Sequence, residues 1–328
     1  MDVPGYDSLL HYTSPPNNYI GATIFLSYIL AALYATTTIA YSLYSRYITI
    51  FGSTTKDEKL NATRSARARH IKIYAFLASI SFATLSYNML SFLISHYMQW
   101  NGDKSFSPSA ISPEKLKRWM LNSSLFQDFA HDLVKDAPNT VWTQAAIIAT
   151  WFWNIWIAQK ARRRRIDTQT MRTFILLSQI LPISFTAALF IIELHLSSPD
   201  IQSTTPNSDI GKDNASSPPQ RLKPKASLQL PNILLNASLL ALPSLRSHPI
   251  FSTLVLFERA ILLLPHFSLL SLRDEEVVKC ITVAGGFVVA NAAMARKELN
   301  LKDVLSAFGG GGYAVKALGW DALLGLLV

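Results

Sequence analysis

The sequence predicts an all-α fold, a polytopic bundle of transmembrane helices with about eight spans. Half of the 328 residues are apolar, only 16% are charged, and the mean hydropathy is +0.23. The apolar residues come in nearly uncharged blocks of about 20, the length that a helix needs to cross a bilayer. Transmembrane β-strands need about 10 residues of alternating polarity. The pattern therefore favours a helical membrane protein over a β-barrel and over a pair of soluble domains.

Seven apolar blocks and a C-terminal segment make up the predicted spans, which we take as one transmembrane domain over residues 1–328. In chain order the spans cover residues 20–43, 73–97, 142–158, 173–196, 228–245, 249–270, 277–295 and 304–328. The fourth span carries Pro182 in its interior, and the fifth is interrupted by Pro231 and Pro243. The C-terminal segment contains Gly309 to Gly312, a run that indicates a helix break or close helix packing. A re-entrant segment is therefore the alternative to an eighth span.

Charged segments between the spans predict how the helices are oriented. Four of them are basic: residues 46–72, residues 159–172, Arg246, and residues 296–302. The segments that alternate with them are balanced or slightly acidic: residues 98–141, residues 197–227 and residues 273–276. Because Lys and Arg are enriched in cytosolic loops, this alternation predicts a multi-pass protein of the endoplasmic reticulum with both termini in the lumen. The lumenal segment 197–227 is rich in Ser, Thr and Pro, and we expect it to be disordered.

Composition and motifs exclude several kinds of site. The single cysteine, Cys280, rules out a disulfide scaffold and a Cys-rich metal site. The net charge of +9 comes from basic residues beside apolar blocks, so we interpret them as determinants of topology and not as a face for nucleic acid. The sequence contains no DDxxD, GxSxG, P-loop or GxGxxG motif.

Ionisable side chains inside a membrane are costly, so each one is a candidate functional residue. Glu193 lies near the lumenal end of the fourth span, where a desolvated carboxyl group could keep its proton and donate it. The alternative is a solvated side chain at the interface. Glu258 and Arg259 lie in the sixth span and point about 100° apart on a helix. Each is therefore expected to find a partner elsewhere, and we favour an interhelical ion pair over a catalytic role.

Two aspartates in the segment 98–141 form a second candidate site. Asp128 and Asp132 are four residues apart, with His131 beside them, and on a helix their carboxyl groups share a face. Neighbouring carboxylates do not ionise independently, so one of them could hold a proton. The alternative, which the spacing alone slightly favours, is a solvated amphipathic helix on the lumenal surface.

The third span is short and dense in aromatic side chains, including Trp151 and Phe152. Trp residues at the ends of spans commonly anchor a helix at the membrane interface, which explains part of this density. The alternative is a wall of aromatic faces around a cation or an unsaturated ligand.

Four features of the chain together indicate a family resemblance: residues 122–132 (NSSLFQDFAHD), the Trp-rich third span, residues 178–185 (SQILPISF) and residues 318–321 (LGWD). They resemble a fungal family of integral-membrane terpene cyclases of meroterpenoid biosynthesis, of the ascochlorin and ascofuranone type. The resemblance implies an enzyme that cyclises a prenyl chain bearing a terminal epoxide. A buried acid protonates the epoxide, the ring opens toward a carbocation, and a double bond or hydroxyl group captures it. The resemblance implies neither a metal nor a redox cofactor, and its substrate is a lipophilic prenylated molecule taken up from membrane lipid.

The resemblance, together with burial cost, nominates the site residues. Asp128 is the expected general acid or its partner, with Asp132 beside it, and Glu193 is the second candidate acid. Three substrate-binding candidates are Gln179, which would orient the acid or the epoxide oxygen, and Trp151 and Phe152, which would stabilise the cation. Asp321 matches the C-terminal string and has no role that we can derive.

A transporter of lipids or small molecules in an internal membrane is the alternative function. Its polar residues would line a path through the bilayer. A cyclase instead needs its polar residues around one closed apolar cavity. The placement of Asp128, Gln179 and Glu193 therefore discriminates between the two functions.

Overall fold

The computed structural model describes residues 15–52, 58–105, 107, 111–201, 226–248, 250–267, 269–295 and 300–328. Within these residues the chain forms twelve α-helices, two short 3-10 helices (residues 199–201 and 264–266) and no β-strand, so the all-α prediction is confirmed. In chain order the helices are α1 (Tyr19–Phe51), α2 (Glu58–Asn101), α3 (Pro113–Asn122), α4 (Leu125–Leu133), α5 (Ala137–Arg164), α6 (Thr168–Ile180), α7 (Ile183–Leu196), α8 (Gln229–Ala241), α9 (Phe251–Leu263), α10 (Asp274–Ala295), α11 (Leu301–Gly310) and α12 (Tyr313–Leu327). Most of the segment 197–227, for which we predicted disorder, lies outside the described residues.

Helices α1 and α2 are long and apolar enough to cross a membrane, and they contain the first two predicted spans. α1 has 33 residues and begins after Asn18, whose side chain accepts a hydrogen bond from the backbone N–H of Gly21. Its outer face exposes large apolar side chains such as Leu30, Tyr34 and Tyr41. A continuous exposed apolar face of this kind marks a surface that meets lipid or another protein.

The long helices α1, α2 and α5 define two ends of the bundle. Helices α3 and α4 cover one of them, which we call the pocket end. There Asn18 at the start of α1 donates to the carbonyl of Ser123, over 2.9 Å. We call the opposite end the basic end, because Arg46 of α1, Arg67 of α2 and Arg162 of α5 lie there.

The fourth predicted span is two antiparallel helices, α6 and α7, and not one continuous helix. The chain reverses at Leu181 and Pro182, so that the rings of Phe174 and Phe190 stack edge to face with their centroids 5.3 Å apart. Leu181 has an extended backbone, with ψ of 171°. The physical reason for the break is that proline disfavours helical conformation at the residue before it and has no N–H to donate.

This hairpin changes the predicted orientation of the chain. Both of its open ends lie at the basic end, where Arg67 pairs with Asp200 at 2.6 Å. Arg163 likewise pairs with Asp274 at 2.6 Å. The predicted alternation of basic and acidic segments places the two members of each pair on opposite sides of the membrane. Arg246, predicted to be on the basic side, instead lies at the pocket end and donates to the carbonyl of Lys135. The predicted alternation is therefore wrong from the fourth span onward.

Helices α8, α9 and α10 pack beside α5 and correspond to the fifth, sixth and seventh predicted spans. α8 and α9 run antiparallel and have 13 residues each. Such a helix is about 20 Å long, which is shorter than the roughly 30 Å hydrocarbon core of a bilayer. The start of α8 and the end of α9 lie at the basic end. There the backbone of Ala226 is hydrogen-bonded to the backbones of Leu269 and Ser271.

The C-terminal helix α12 lies in the centre of the molecule and packs against α2, α4, α5, α7 and α11. Small residues let it approach its neighbours: a Cβ atom at Gly319 would lie 2.9 Å from the ring of Phe308. The glycine run ends α11 at Gly310 and begins α12 at Tyr313, which confirms the predicted helix break. The predicted span 304–328 is therefore two helices.

Candidate functional site

A large apolar cavity lies between α5, α8, α10 and α12. Its volume is about 940 Å³. Helix α5 contributes a stripe at helical spacing, from Val141 to Gln159, which runs along about 27 Å of helix. The residues that α5 contributes are Val141, Gln144, Ala145, Ile148, Ala149, Phe152, Trp153, Ile155, Trp156 and Gln159. Facing them are Asn236, Leu239 and Leu240 of α8, Val277, Ile281, Phe287, Val288 and Asn291 of α10, Val304 of α11, and Ala322, Gly325 and Leu326 of α12.

Aromatic side chains form part of this wall. Phe152 lines the cavity as predicted, whereas Trp151 does not and lies fully buried beside α8, where its indole N–H donates to Oδ1 of Asn232 over 3.0 Å. Trp153 and Trp156 line the cavity instead, with ring centroids 5.2 Å apart. Neighbouring residues on a helix point about 100° apart, so α5 presents one face to α8 and another to the cavity.

Carboxamides are the polar groups of the described cavity wall, which contains no Asp, Glu, Lys, Arg or His. Gln144, Asn236 and Asn291 lie toward the pocket end, and Gln159 toward the basic end. The sequence analysis missed all four. Amides among apolar residues on three separate helices give no pattern in the sequence, and only packing brings them together.

Asp128 and Asp132 lie in a second, polar pocket of about 530 Å³ at the pocket end. Helix α4 carries both of them, and they line this pocket together with His96, His131, Lys135 and Arg246. The prediction that the two carboxyl groups share a face is confirmed. The polar pocket and the apolar cavity have no described lining residue in common.

A Trp–His–Asp chain defines the surroundings of Asp128. The indole N–H of Trp119 donates to Nδ1 of His96 at 3.0 Å, and Nε2 of His96 lies 3.1 Å from Oδ2 of Asp128. Because an indole nitrogen can only donate, Nδ1 of His96 must be the acceptor, and Nε2 carries the hydrogen that Asp128 accepts. Asp128 is half exposed.

Asp132 packs against the first residues of α12. A Cβ atom at Gly312, the residue before that helix, would collide with its carboxyl group. A residue larger than glycine there would require the Asp132 side chain to move. A negative charge is also favourable at the N-terminus of a helix, where backbone N–H groups are unpaired.

Glu193 lies buried at the basic end, far along the bundle from Asp128. Nη1 of Arg46 contacts both of its oxygens, at 2.6 and 2.5 Å. The interpretation of Glu193 as a solvated interfacial residue is therefore wrong, and so is its predicted place on the side opposite to the basic loop. Next to it, Arg67 contacts Nδ1 of His195 at 2.8 Å and pairs with Asp200. This ion pair and a hydrogen bond to Ser198 lower the pKa of Asp200, with the bond to Ser198 as the largest cause.

Gln179 and Asp321 meet at the break between α6 and α7. The backbone carbonyl of Gln179 accepts hydrogen bonds from the Tyr28 hydroxyl at 2.8 Å and from Arg259 at 2.7 Å. Asp321 of α12 accepts the backbone N–H groups of Ile183 at 3.0 Å and Ser184 at 2.9 Å. Asp321 thus caps α7 from another helix, a role that the sequence could not reveal.

Glu258 and Arg259 diverge, as predicted. Arg259 reaches the carbonyl of Gln179, whereas Glu258 is buried beside Ser238 of α8. Among the described residues no donor contacts Oε1 of Glu258, so the interhelical ion pair that we favoured is not formed.

The candidate residues therefore lie in separate places: Asp128 and Asp132 in the polar pocket, Glu193 in the ion pair at the basic end, Gln179 and Asp321 at the break at Pro182, and Trp151 beside α8. Only Phe152 lines the apolar cavity. Within the described residues no group of three His, Cys, Asp or Glu side chains is arranged to hold a metal ion. Comparison of this chain with protein-family models, curated proteins and solved structures found no match.

Proposed function

We propose that this chain is a membrane-bound terpene cyclase, a multi-pass protein of the endoplasmic reticulum that binds the prenyl chain of its substrate in the apolar cavity. The cavity is the observation that carries the proposal. Its volume of about 940 Å³ lies within the roughly 300–1,000 Å³ of small-molecule sites. The strings at residues 122–132, 178–185 and 318–321, which resemble the fungal membrane cyclases, suggest the reaction.

The cavity wall suits a reaction through a carbocation. Phe152, Trp153 and Trp156 supply aromatic rings, whose faces attract positive charge. The indole N–H of Trp153 is already bound to the carbonyl of Gly325 at 3.1 Å. The described wall also offers no carboxylate or amine that would capture the cation prematurely.

Asp128 is the acid in this proposal. It would give its proton to the epoxide oxygen, the C–O bond would break, and a double bond of the chain would attack the carbon. The new carbocation would then lose a proton, or be captured by a hydroxyl group that loses its own proton, so that the product is an isomer. Glu193 is the weaker candidate because Arg46 binds both of its oxygens. With Asp128 as acid, the epoxide end of the substrate has to reach the polar pocket while the chain occupies the apolar cavity.

A carrier of lipids or small molecules is the second candidate function. One observation favours it: the described residues around the cavity include no carboxyl group. A carrier would bind the same kind of molecule and release it unchanged.

The two functions separate in one experiment on microsomes that contain this chain. A phenol bearing a farnesyl chain with a terminal epoxide is added, and we expect an isomer of unchanged mass and shifted retention. We expect Asp128→Asn to slow its formation by about 100-fold or more, since it removes the proton and keeps the shape. Asp103→Asn, at an exposed aspartate after α2, is the matched control and should leave the rate unchanged.

Full activity in Asp128→Asn would move the acid role to another residue. A second outcome is that neither the wild type nor any variant forms an isomer, while the purified protein binds the added phenol and releases it unchanged. This outcome would contradict the cyclase and support the carrier.

A further inference from the structure

The chain contains four Asn-x-Ser/Thr sequences, the pattern to which cells attach N-linked sugars. They begin at Asn61, Asn122, Asn214 and Asn236. The pattern is common by chance, so the place of each asparagine in the fold decides whether it can carry a sugar. The acceptor has to be exposed, and it has to lie on the lumenal side of the membrane of the endoplasmic reticulum.

Asn122 meets the condition of exposure. It is the last residue of α3, and its side chain is exposed. Ser123, which follows it, has an extended backbone with φ of −123° and ψ of 153°, so the pattern runs out of α3 into its connection with α4. Ser124 supplies the hydroxyl group that the pattern needs two residues after the asparagine.

The charges of the two ends of the bundle assign the side of the membrane. At the basic end, residues 159–172 contain six Lys and Arg and one Asp, whereas residues 98–141 at the pocket end contain five residues of each sign. An excess of Lys and Arg marks the cytosolic side of a membrane protein. In the membrane location that we propose, the basic end therefore faces the cytosol, and Asn122 at the pocket end faces the lumen.

Burial removes Asn236 from the candidates. Its side chain is 2% exposed within α8, and its Nδ2 donates to the carbonyl of Asn232 at 2.8 Å. The nitrogen that would carry the sugar is therefore already bound inside the bundle.

The side of the membrane removes the other two. Asn61 is exposed, but it lies in the first turn of α2, at the basic end. Asn214 lies outside the described residues, and the described residues that flank its segment, Ile201 and Ala226, both lie at the basic end. The alternation of charged segments instead places residues 197–227 in the lumen, so Asn214 distinguishes the two topologies.

We propose that Asn122 is an N-glycosylation site, and that it is the acceptor among the four. Its Nδ2 forms a bond to the anomeric carbon of an oligosaccharide carried on a lipid diphosphate, and a transferase of the host catalyses the step. The bond from that carbon to the diphosphate oxygen breaks, the diphosphate leaves with the electron pair, and the amide loses one proton. Because Asn122 lines the polar pocket together with Asp128 and Arg246, the sugar stands at the rim of that pocket. The inference rests on the proposed function only in the location of the chain in the endoplasmic reticulum.

Removal of the sugar from the chain expressed in a eukaryotic host tests the site. On treatment of the wild type with a peptide N-glycosidase, we expect a single step to higher mobility on a denaturing gel. This enzyme converts the asparagine that carried the sugar to aspartate, so mass spectrometry of the peptides locates the conversion at position 122.

Variants of the pattern separate the acceptor from its surroundings. Asn122→Gln removes the acceptor and Ser124→Ala removes the hydroxyl group, so each should abolish the step completely. Ser124→Thr keeps a hydroxyl group and should retain the step, which controls for any effect of Ser124→Ala on folding. Asn61→Gln and Asn214→Gln are the matched controls and should leave the step unchanged.

Each other outcome overturns a different statement. A wild-type chain that stays in the membrane and shows no step would overturn this inference and leave the proposed cyclase. A step that survives in Asn122→Gln and disappears in Asn61→Gln or Asn214→Gln would overturn the inference together with the orientation. A chain that alkaline carbonate releases from the membrane would overturn both the inference and the proposed function. A sugar at Asn122 in microsomes that form no isomer would overturn the proposed function alone.

Discussion

The carboxyl groups of this chain differ in what they contact, and these contacts decide what each can do. Asp128 accepts a hydrogen from His96 in an open pocket, Glu193 pairs with Arg46, and Asp321 accepts two backbone N–H groups. Each of these contacts has to be broken or rearranged before the carboxyl group can take up a proton and donate it. A carboxyl group can donate a proton only after its hydrogen-bond or ion-pair partner has moved away. Asp128 is the most solvent-exposed of the three carboxyl groups.

The ion pair of Arg46 and Glu193 is predicted to stabilise the fold. Glu193→Gln should lower the free energy of unfolding by about 1–3 kcal/mol, less than the roughly 3–5 kcal/mol of a fully buried pair. The reason is that the Arg46 side chain is 37% exposed and water can solvate the orphaned charge. Unfolding in detergent of Glu193→Gln, Arg46→Met and the double variant gives the coupling energy. A coupling below about 0.3 kcal/mol would contradict a stabilising pair.

At the scale of the element, the hairpin of α6 and α7 depends on side chains that belong to other helices. Pro182 ends α6, and the first N–H groups of α7 then lack partners within the helix. Asp321 binds two of them, while Tyr28 and Arg259 bind the carbonyl of Gln179 at the end of α6. Three different helices therefore hold this break in place.

Removing the Asp321 carboxyl group should destabilise the hairpin. Asp321→Ala is expected to cost about 2 kcal/mol or more, because the loss of a cap costs about 1 kcal/mol and two buried N–H groups are left unpaired. Asp321→Asn keeps an accepting oxygen and should cost less than Asp321→Ala. Limited proteolysis and thermal unfolding compare the two, and the exposed Asp303→Ala is the control. Equal stability of Asp321→Ala and the wild type would contradict the capping role.

At the scale of the whole molecule, the hairpin brings together loops that lie far apart in the sequence. The basic segment after α5 and the acidic start of α10 meet in the pair of Arg163 and Asp274. The exposed apolar faces of α1 and α2 lie on the outside, and the small residues of α12 lie in the centre. In the membrane location that we propose, an apolar exterior and a centre filled by a helix of small residues are compatible, because close packing drives helix association there.

Cysteine labelling in sealed microsomes tests this arrangement. The chain has a single cysteine, Cys280, which is buried, so the wild type provides the background. We expect Arg164→Cys and Arg273→Cys, at exposed residues of the basic end, to react with an impermeant maleimide on the same side of the membrane. Lys104→Cys, after α2, should react only after the microsomal membrane has been permeabilised, which gives the maleimide access to the opposite side. Labelling of Arg164→Cys and Arg273→Cys from opposite sides would restore the alternating topology.

Local sequence determined the helical class, the two long apolar helices α1 and α2, and the helix that carries Asp128 and Asp132. Apolar blocks, a capping asparagine before α1 and a helical spacing of carboxyl groups act within a few residues, so their consequences can be read along the chain. The break at the glycine run was predictable for the same reason. The reversal at Pro182 was not predicted, because a proline either kinks a helix or ends it, and the surrounding helices decide which.

The cavity and its polar groups were decided by tertiary structure alone. Trp153 faces the cavity and Trp151 faces Asn232 because of how α5 packs against α8, and no composition distinguishes the two tryptophans. Asp321 acquires its role from a helix that lies far away in the sequence. Charge alternation failed since it assumes that every apolar block crosses the membrane once. Contacts between distant segments depend on packing of the whole bundle, and the sequence alone carries no direct record of them.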